Sequence, residues 1–212
     1  MNQQQPNYKF YATLLDSFSW YLKSEKEESF REFIDKVNRV PFTSEAAERG
    51  TSFNRLVDEV VYNNYILSDD TTLFDGFDFP SDVVIEMAQE FHGAVSQVEV
   101  SGTVNTKYGA VLLYGYIDEL KADKVYDIKT TKNYELGKYI NNWQHKVYLY
   151  CLLGTGINTF QYTVTDFEHI YKEEYVWRGI YELDLRLICE RLIEFLNDYR
   201  NMITDKKVFA EI

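Results

Sequence analysis

Residues 109–130 read GAVLLYGYIDELKADKVYDIKT, and this stretch decides the fold. Apolar and β-branched residues on both sides of a polar segment predict two strands, 109–118 and 124–130. If the turn is centred between Ala122 and Asp123, the strands form a hairpin in which Asp118 lies opposite Asp127. Alternation along the second strand puts Lys129 on the same face as Asp127. The sequence therefore predicts two carboxylates and an ammonium group at one place on a sheet.

Two carboxylates in opposed strand positions repel each other, because their Cβ atoms are about 5 Å apart. A chain keeps such a pair if one carboxyl is protonated, if the register differs, or if a cation lies between them. Oxygen ligands at this spacing suit Mg²⁺ or Mn²⁺, and Lys129 would then face the anion that the metal binds. The alternative is a chance Asp-x-Lys on an ordinary hairpin, since Ala122-Asp123 is not a strong turn signal.

Two helices add side chains to this predicted site. Gln144 and Tyr148 are four residues apart and so share one helix face. Asn54 and Asp58 are also four apart, and they border the apolar face of an earlier helix. Asp58 is the residue of this helix that we expect to reach the sheet and add a third carboxylate. Ordinary half-buried helix faces are the alternative for both pairs.

Composition limits the classes of function. The chain has 212 residues, 45% of them hydrophobic, which excludes a disordered protein. Its two cysteines cannot form a four-thiolate cluster or a disulfide framework. No apolar stretch reaches the about 18 residues of a membrane span, and the first ten residues show no leader pattern. We expect a cytoplasmic protein without membrane contact, and the sequence has no glycine-rich phosphate loop.

The charge distribution is uneven. A net charge of −12 disfavours a simple nucleic-acid binder, whose affinity comes from neutralising phosphates. Residues 121–146 nevertheless carry six lysines against three acids, a local charge of +3. Lys132, Lys138 and Lys146 are candidate phosphate contacts, with a solvated helix face as the alternative.

The pattern of the whole chain predicts one domain of mixed α/β class over residues 1–212. Residues 1–93 read as mainly helical, residues 94–177 as a sheet with one motif helix, and residues 178–212 as a C-terminal helix. The predicted strands form a central mixed sheet of four to five strands flanked by helices. The predicted helices are 10–22, 29–40, 44–67, 81–91, 136–153 and 180–202, with a loop at 68–80; the strands are 95–104, 109–118, 124–130, 158–166 and 170–177.

Four short motifs follow one another in an order that resembles the PD-(D/E)XK nuclease superfamily, and most of all its RecB-like and phage-type exonuclease branch. The resemblance covers residues 50–153, and residues 15–20 (LDSFSW) resemble the serine-containing N-terminal segment of RecB-like members. The motifs are Gly50-x3-Asn54-x3-Asp58, Gly115-x2-Asp118, Asp127-Ile128-Lys129 and Gln144-x3-Tyr148.

This resemblance implies a restriction-endonuclease-like core and a nuclease that uses one or two Mg²⁺ or Mn²⁺ ions. It implies that Asp118, Asp127 and the carbonyl group of Ile128 hold the metal. Lys129 matches the catalytic lysine of the family, and Gln144 and Tyr148 match the motif that orients that lysine and the DNA. The expected substrate is DNA with linear ends, in recombination or repair.

The chain also departs from the family pattern. Many RecB-like members have histidine where this chain has Asn54, and the four cysteines of the iron–sulfur branch are absent. Several alternatives therefore stay open: a catalytically inactive module that binds DNA ends or a protein, an endonuclease of the same fold, or a small-molecule-binding α/β domain. A recombination or annealing protein as partner, and a homo-oligomer, also stay open.

Overall fold

The structure is a computed structural model, and it describes residues 5–210. This part of the chain forms eight strands and six helices. The strands are β1 (Tyr8–Tyr11), β2 (Thr71–Phe74), β3 (Phe77–Pro80), β4 (Val95–Thr106), β5 (Gly109–Leu120), β6 (Lys124–Thr130), β7 (Thr159–Thr165) and β8 (Ile170–Val176). The helices are α1 (Ala12–Lys23), α2 (Glu28–Val37), α3 (Glu45–Asn63), α4 (Ser81–Phe91), α5 (Gln144–Cys151) and α6 (Ile180–Asp198), followed by two 3₁₀ turns, Arg200–Met202 and Lys206–Phe209.

A six-stranded mixed sheet forms the centre of the fold, and β5 organises it. The whole length of β5 pairs with antiparallel β4 along one edge. Along the other edge, the first part of β5 pairs with parallel β1, and its last two residues pair with antiparallel β6. Parallel β7 and antiparallel β8 complete the sheet. The predicted α/β class with a central mixed sheet is confirmed, but the sheet has six strands rather than four to five.

Two hydrophobic cores lie on the two faces of this sheet. The larger core joins the sheet to α1, α2, α5 and α6 and includes Val125 of β6. The smaller core joins it to α3, α4 and the β2–β3 hairpin and includes Tyr126 and Ile128 of the same strand. Because neighbouring residues of a strand point to opposite faces, Asp127 and Lys129 lie on the side of α5.

The hairpin between β5 and β6 has the predicted register. Glu119 pairs with Tyr126 and Leu120 with Val125, and the amide of Lys121 donates to the carbonyl of Lys124 across the turn (3.0 Å). This register brings Asp118 opposite Asp127, as the sequence predicted.

Three predicted elements differ from the structure. The helix predicted from residue 10 begins at Ala12, because residues 8–11 form β1. The loop predicted at 68–80 contains the β2–β3 hairpin. The helix predicted at 136–153 is helical only over Gln144–Cys151, since Gly137 has φ +82° and the Glu173 carboxylate on β8 accepts the amides of Gly137 and Lys138 (both 3.1 Å).

The two longest helices, α3 and α6, are also shorter than predicted. The helix predicted at 44–67 ends at Asn63, where Asn64 takes the left-handed conformation, and the one predicted at 180–202 ends at Asp198. Across residues 5–210, no helix combines the length and the apolar character that crossing a bilayer requires.

Candidate active site

Two carboxylates meet where β5 and β6 separate. Beyond the pair Glu119–Tyr126 the strands no longer pair, and the Asp118 Oδ2 atom accepts a hydrogen bond from the Ile128 amide instead (3.2 Å). Asp127 is only 1% exposed. Where the strands separate, the Ile128 amide of β6 therefore faces the side chain of Asp118, and the half-buried Asp118 lies beside the buried Asp127.

Three ionisable side chains meet where β5 and β6 separate. The Lys129 Nζ atom forms an ion pair with Asp127 Oδ2 at 2.5 Å. Burial and the negative charge of Asp127 raise the pKa of Asp118 well above its usual range, against the opposing effect of Lys129. Burial acts to lower the pKa of Lys129, but the charges of Asp127 and Asp118 outweigh it and raise that pKa. Without a metal, the Asp118 carboxyl group therefore favours its protonated form, and the Asp127 carboxylate pairs with Lys129.

Helix α5 holds Asp127 from the other side. The Gln144 Nε2 atom donates a hydrogen bond to Asp127 Oδ1. One turn later, the hydroxyl end of the Tyr148 ring lies against the backbone of β5: a Cβ atom built on Gly115 would be 2.6 Å from its Cε1 atom. Burial, with the charges of Asp127 and Asp118, raises the pKa of Tyr148. Gln144 and Tyr148, which were predicted to lie on one face of the helix, both point toward the strands that carry the carboxylate pair.

Asp16 on α1 was not predicted as a site residue. Its Oδ1 atom accepts the amide of Trp143, the residue before α5 (2.6 Å), and the Trp143 Nε1 atom donates to Ser19 of the same helix α1 (2.6 Å). Burial raises the pKa of Asp16 to about 6, and Lys129 and Asp127 also act on it. Asp16 therefore fixes the start of the helix that carries Gln144. The segment 15–20 of the resemblance was the signal that could have found it.

Two tyrosines that the sequence did not single out form a wall beside Lys129. The Nζ atom of Lys129 lies 5.9 Å from the ring centre of Tyr162, a fully buried residue of β7. Tyr139 stacks on Tyr162 at 4.8 Å. Because these rings surround the ammonium group on one side, Lys129 faces the carboxylate pair.

The prediction that Asp58 joins Asp118 and Asp127 is wrong. Asp58 forms a side-chain hydrogen bond with Glu119, the neighbour of Asp118, whose side chain points to the other face of β5. Tyr62 of α3 also donates to Glu119 (2.5 Å). Burial and the nearby Asp58 raise the pKa of Glu119 to about 7, although the Tyr62 hydroxyl opposes the shift. The helix position of Asp58 was predicted correctly, but its partner was not.

Asn54 lies between the two contacts that α3 makes with the sheet. A Cβ atom on Gly50 would be 2.8 Å from Thr130 Oγ1 at the end of β6, and Asp58 reaches β5. Asn54 is four residues from each and so on the same helix face. Its Oδ1 atom is buried without a hydrogen-bond partner among the described residues. Such an oxygen atom is available to a ligand that the protein alone does not supply.

A divalent cation fits this arrangement with two carboxylates as ligands rather than three. Among residues 5–210, no three His, Cys, Asp or Glu side chains converge to hold a metal. The two carboxylates of Asp118 and Asp127 do converge, and Asp127 Oδ2 has an ion pair but no hydrogen-bond donor. Mg²⁺ needs only a few protein oxygens, because it keeps several waters. The carbonyl ligand predicted at Ile128 stays a prediction.

The three predicted phosphate-binding lysines have different surroundings. Lys132 and Lys138 are exposed on the segment between β6 and α5. Lys146 forms an ion pair with Asp184 of α6 (3.0 Å), and its ammonium group lies 4.6 Å from the ring centre of Trp143. The charge of Lys146 is therefore used within the fold. The ammonium group of the exposed Lys138 donates hydrogen bonds to Thr131 and to the carbonyl of Asn133 (2.8 Å) in its own segment.

Comparisons with known proteins address the fold. None of the family models matches this chain, and neither does any of the curated proteins. A solved structure described as the crystal structure of SSO0001 does match, with a TM-score of 0.56 and 14% sequence identity. The match covers 92% of this chain and 79% of that one. At this identity the similarity shows a shared α/β fold alone, and function has to follow from the site.

Proposed function

We propose that the protein is a divalent-metal-dependent DNA nuclease, and more specifically an exonuclease. The observation that carries this proposal is the pair of adjacent side chains Asp118 and Asp127, with the Lys129 ammonium group 2.5 Å from an oxygen atom of Asp127. Two carboxyl groups this close do not both ionise readily, so one of them holds a proton. A divalent cation in place of that proton would stabilise both groups as carboxylates. The order of the four sequence motifs supports the same reaction.

The carboxylate oxygen atoms of Asp118 and Asp127 and the carbonyl group of Ile128 would hold the metal. When bound, Mg²⁺ or Mn²⁺ supplies a water of lowered pKa and positive charge beside the scissile phosphate. Asn54 is not included in this set, because its helix face packs on the other side of the sheet, with Gly50 against Thr130 and Asp58 against Glu119.

The other side chains would orient the metal ligands and stabilise negative charge on the phosphate. Gln144 fixes the Asp127 carboxylate through a donated hydrogen bond, and Asp16 fixes the helix that carries Gln144. Lys129 provides positive charge for the developing charge on the phosphate, or it assists removal of a proton from the attacking water. Lys132 and Lys138 add exposed positive charge on the segment that leads to α5.

The test is degradation of linear DNA in Mg²⁺ or Mn²⁺ by the parent protein and by Lys129→Ala. We expect this variant to lose about 10²–10³-fold in rate, the cost of removing one electrostatic group from an active site. Lys107→Ala is the matched control. Lys107 is an exposed lysine in the turn between β4 and β5, at the end of β5 away from Asp118, and it pairs with Glu194 of α6. Equal rates for parent and Lys129→Ala would refute the site, and an inactive parent would favour a binding module.

A second substrate separates exonuclease from endonuclease. An exonuclease leaves covalently closed circular DNA intact while it consumes the same DNA after linearisation. Cleavage of the closed circle at a comparable rate would replace the exonuclease proposal with an endonuclease of the same fold.

A further inference from the structure

A cleft of about 310 Å³ lies beside the carboxylate pair, and aromatic rings line most of it. It lies between the start of α1 and β5, and its floor is the backbone of Gly115. The side chains that matter for its chemistry are Tyr11, Arg39, Tyr114, Tyr116 and Tyr148. Four phenol rings and one guanidinium group are an unusual surface for a protein whose net charge is −12.

The cleft and the carboxylate pair share parts. Tyr148 lines the cleft over Gly115, and it is on α5 one turn after Gln144, the residue that binds Asp127. Gly115 is three residues before Asp118 on the same strand, a separation of about 10 Å along an extended chain. A nucleotide whose phosphate lies at the carboxylate pair therefore has its base or sugar within reach of the cleft.

The side chains in the cleft are held in place. Arg39 donates from Nη2 to the Tyr114 hydroxyl (2.9 Å), and its Nε atom pairs with Asp205 (2.8 Å). Its guanidinium carbon lies 5.4 Å from the centre of the Tyr11 ring. Tyr116 is 53% exposed and so presents a free ring at the mouth. Ordered aromatic and guanidinium planes are surfaces on which nucleobases stack.

A larger cavity between α1 and α2, of about 670 Å³, has different chemistry. Its lining includes the carboxylates of Asp16, Glu32 and Asp35 and one lysine, Lys36. Three carboxylates against one ammonium repel a phosphodiester strand. The aromatic cleft is therefore the better of the two cavities for a nucleic-acid strand.

We propose that the aromatic cleft binds one unpaired nucleobase next to the cleaved phosphate, so that the substrate is the end of a single strand. This inference rests on the proposed nuclease function. The cleft is at the small end of the range for ligand pockets, about 300–1,000 Å³, which suits one nucleoside. A base inside a duplex has no free face for stacking, because its neighbours cover it. A single strand or a frayed end provides that face.

The test measures binding without cleavage, in EDTA, by fluorescence anisotropy. The probes are a labelled single-stranded oligothymidylate and the same strand with one abasic position, moved stepwise from the end. We expect one abasic position to weaken binding by about 5- to 150-fold, the fold-change that corresponds to losing one base–aromatic stack. Tyr116→Ala should bind the intact and abasic strands equally, whereas Tyr116→Phe should behave as the parent.

Tyr108→Ala is the control, because Tyr108 is an exposed tyrosine at the opposite end of β5. Equal binding of intact and abasic strands by the parent protein overturns the base-binding cleft and leaves the nuclease proposal standing. Tighter binding of duplex than of single strand also overturns it. A parent that binds no single strand in EDTA overturns the base-binding cleft, while the degradation assay with metal decides the nuclease proposal separately. Since Tyr116 is exposed, loss of folding does not confuse the result.

Discussion

Replacing Gly115 with alanine is a sharp test of how Tyr148 is placed. The added Cβ atom would be 2.6 Å from Tyr148 Cε1 and 2.9 Å from its hydroxyl oxygen. Tyr148 is only 6% exposed, so its ring has little room to move. Overpacking of this kind costs about 1–3 kcal/mol, while alanine regains about 0.4–1 kcal/mol through the unfolded chain. We expect Gly115→Ala to lose about 1–2 kcal/mol of unfolding free energy, which follows from these two ranges.

The assay is urea unfolding of a double-mutant cycle with Tyr148→Ala. In the background without the ring, Gly115→Ala should be neutral or stabilising, and the coupling energy should be about 1–3 kcal/mol. Gly102→Ala on the neighbouring strand is the control, because its nearest atoms are 3.3 Å away and a smaller cost is expected. An equal cost of Gly115→Ala with and without Tyr148 would refute the placement of the ring.

Three other substitutions test the charges around the site. The raised pKa of Glu119, about 7 against an ordinary 4.5, means that the folded protein keeps a proton there which the unfolded chain releases. Stability should therefore fall by about 3 kcal/mol as pH rises from 4.5 to 7, and Glu119→Gln should remove that fall in urea titrations while Glu99→Gln does not. Asp118→Asn should raise the melting temperature without metal by about 2–4 °C or more, yet abolish DNA degradation and stabilisation by Mn²⁺; a lower melting temperature would contradict the like-charge pair. Glu173→Gln should lower the free energy of unfolding by about 2–4 kcal/mol, because it weakens hydrogen bonds to a carboxylate. Amide hydrogen exchange at residues 137–139 should become faster. Unchanged exchange would show that the Glu173 carboxylate does not anchor these residues.

Local patterns were sufficient for the β5–β6 hairpin but not for the elements on either side of it. Strand β1 escaped prediction because residues 8–11 run directly into α1, and the strand exists only through parallel pairing with a segment about a hundred residues later in the chain. The segment before α5 has apolar residues at helical spacing, yet Glu173 from β8 binds its amides and keeps it in turns. Contacts between distant residues override local preference in both cases.

The candidate site likewise contains residues that local sequence predicts and residues that depend on distant contacts. Strand register is enough to bring Asp118 and Asp127 together with Lys129, since alternation and one turn fix their relation. A helix face shows that Asp58 is near the sheet but not which strand residue it meets, and it meets Glu119. Asp16 is 127 residues from the amide that it accepts. Spacing along the chain cannot reveal such a partner.

One strand, β5, carries the floor of the aromatic cleft, Asp118 of the carboxylate pair and, directly after it, Glu119 of the separate pair with Asp58. A frame shift of one residue in this strand would exchange the two acids between the faces of the sheet. Insertions or deletions between Gly115 and Asp127 should therefore abolish function even where the chain still folds. The turn at 107–108, at the far end of the same strand, is fastened to α6 through Glu190 and Glu194, so both ends of β5 are fixed in register.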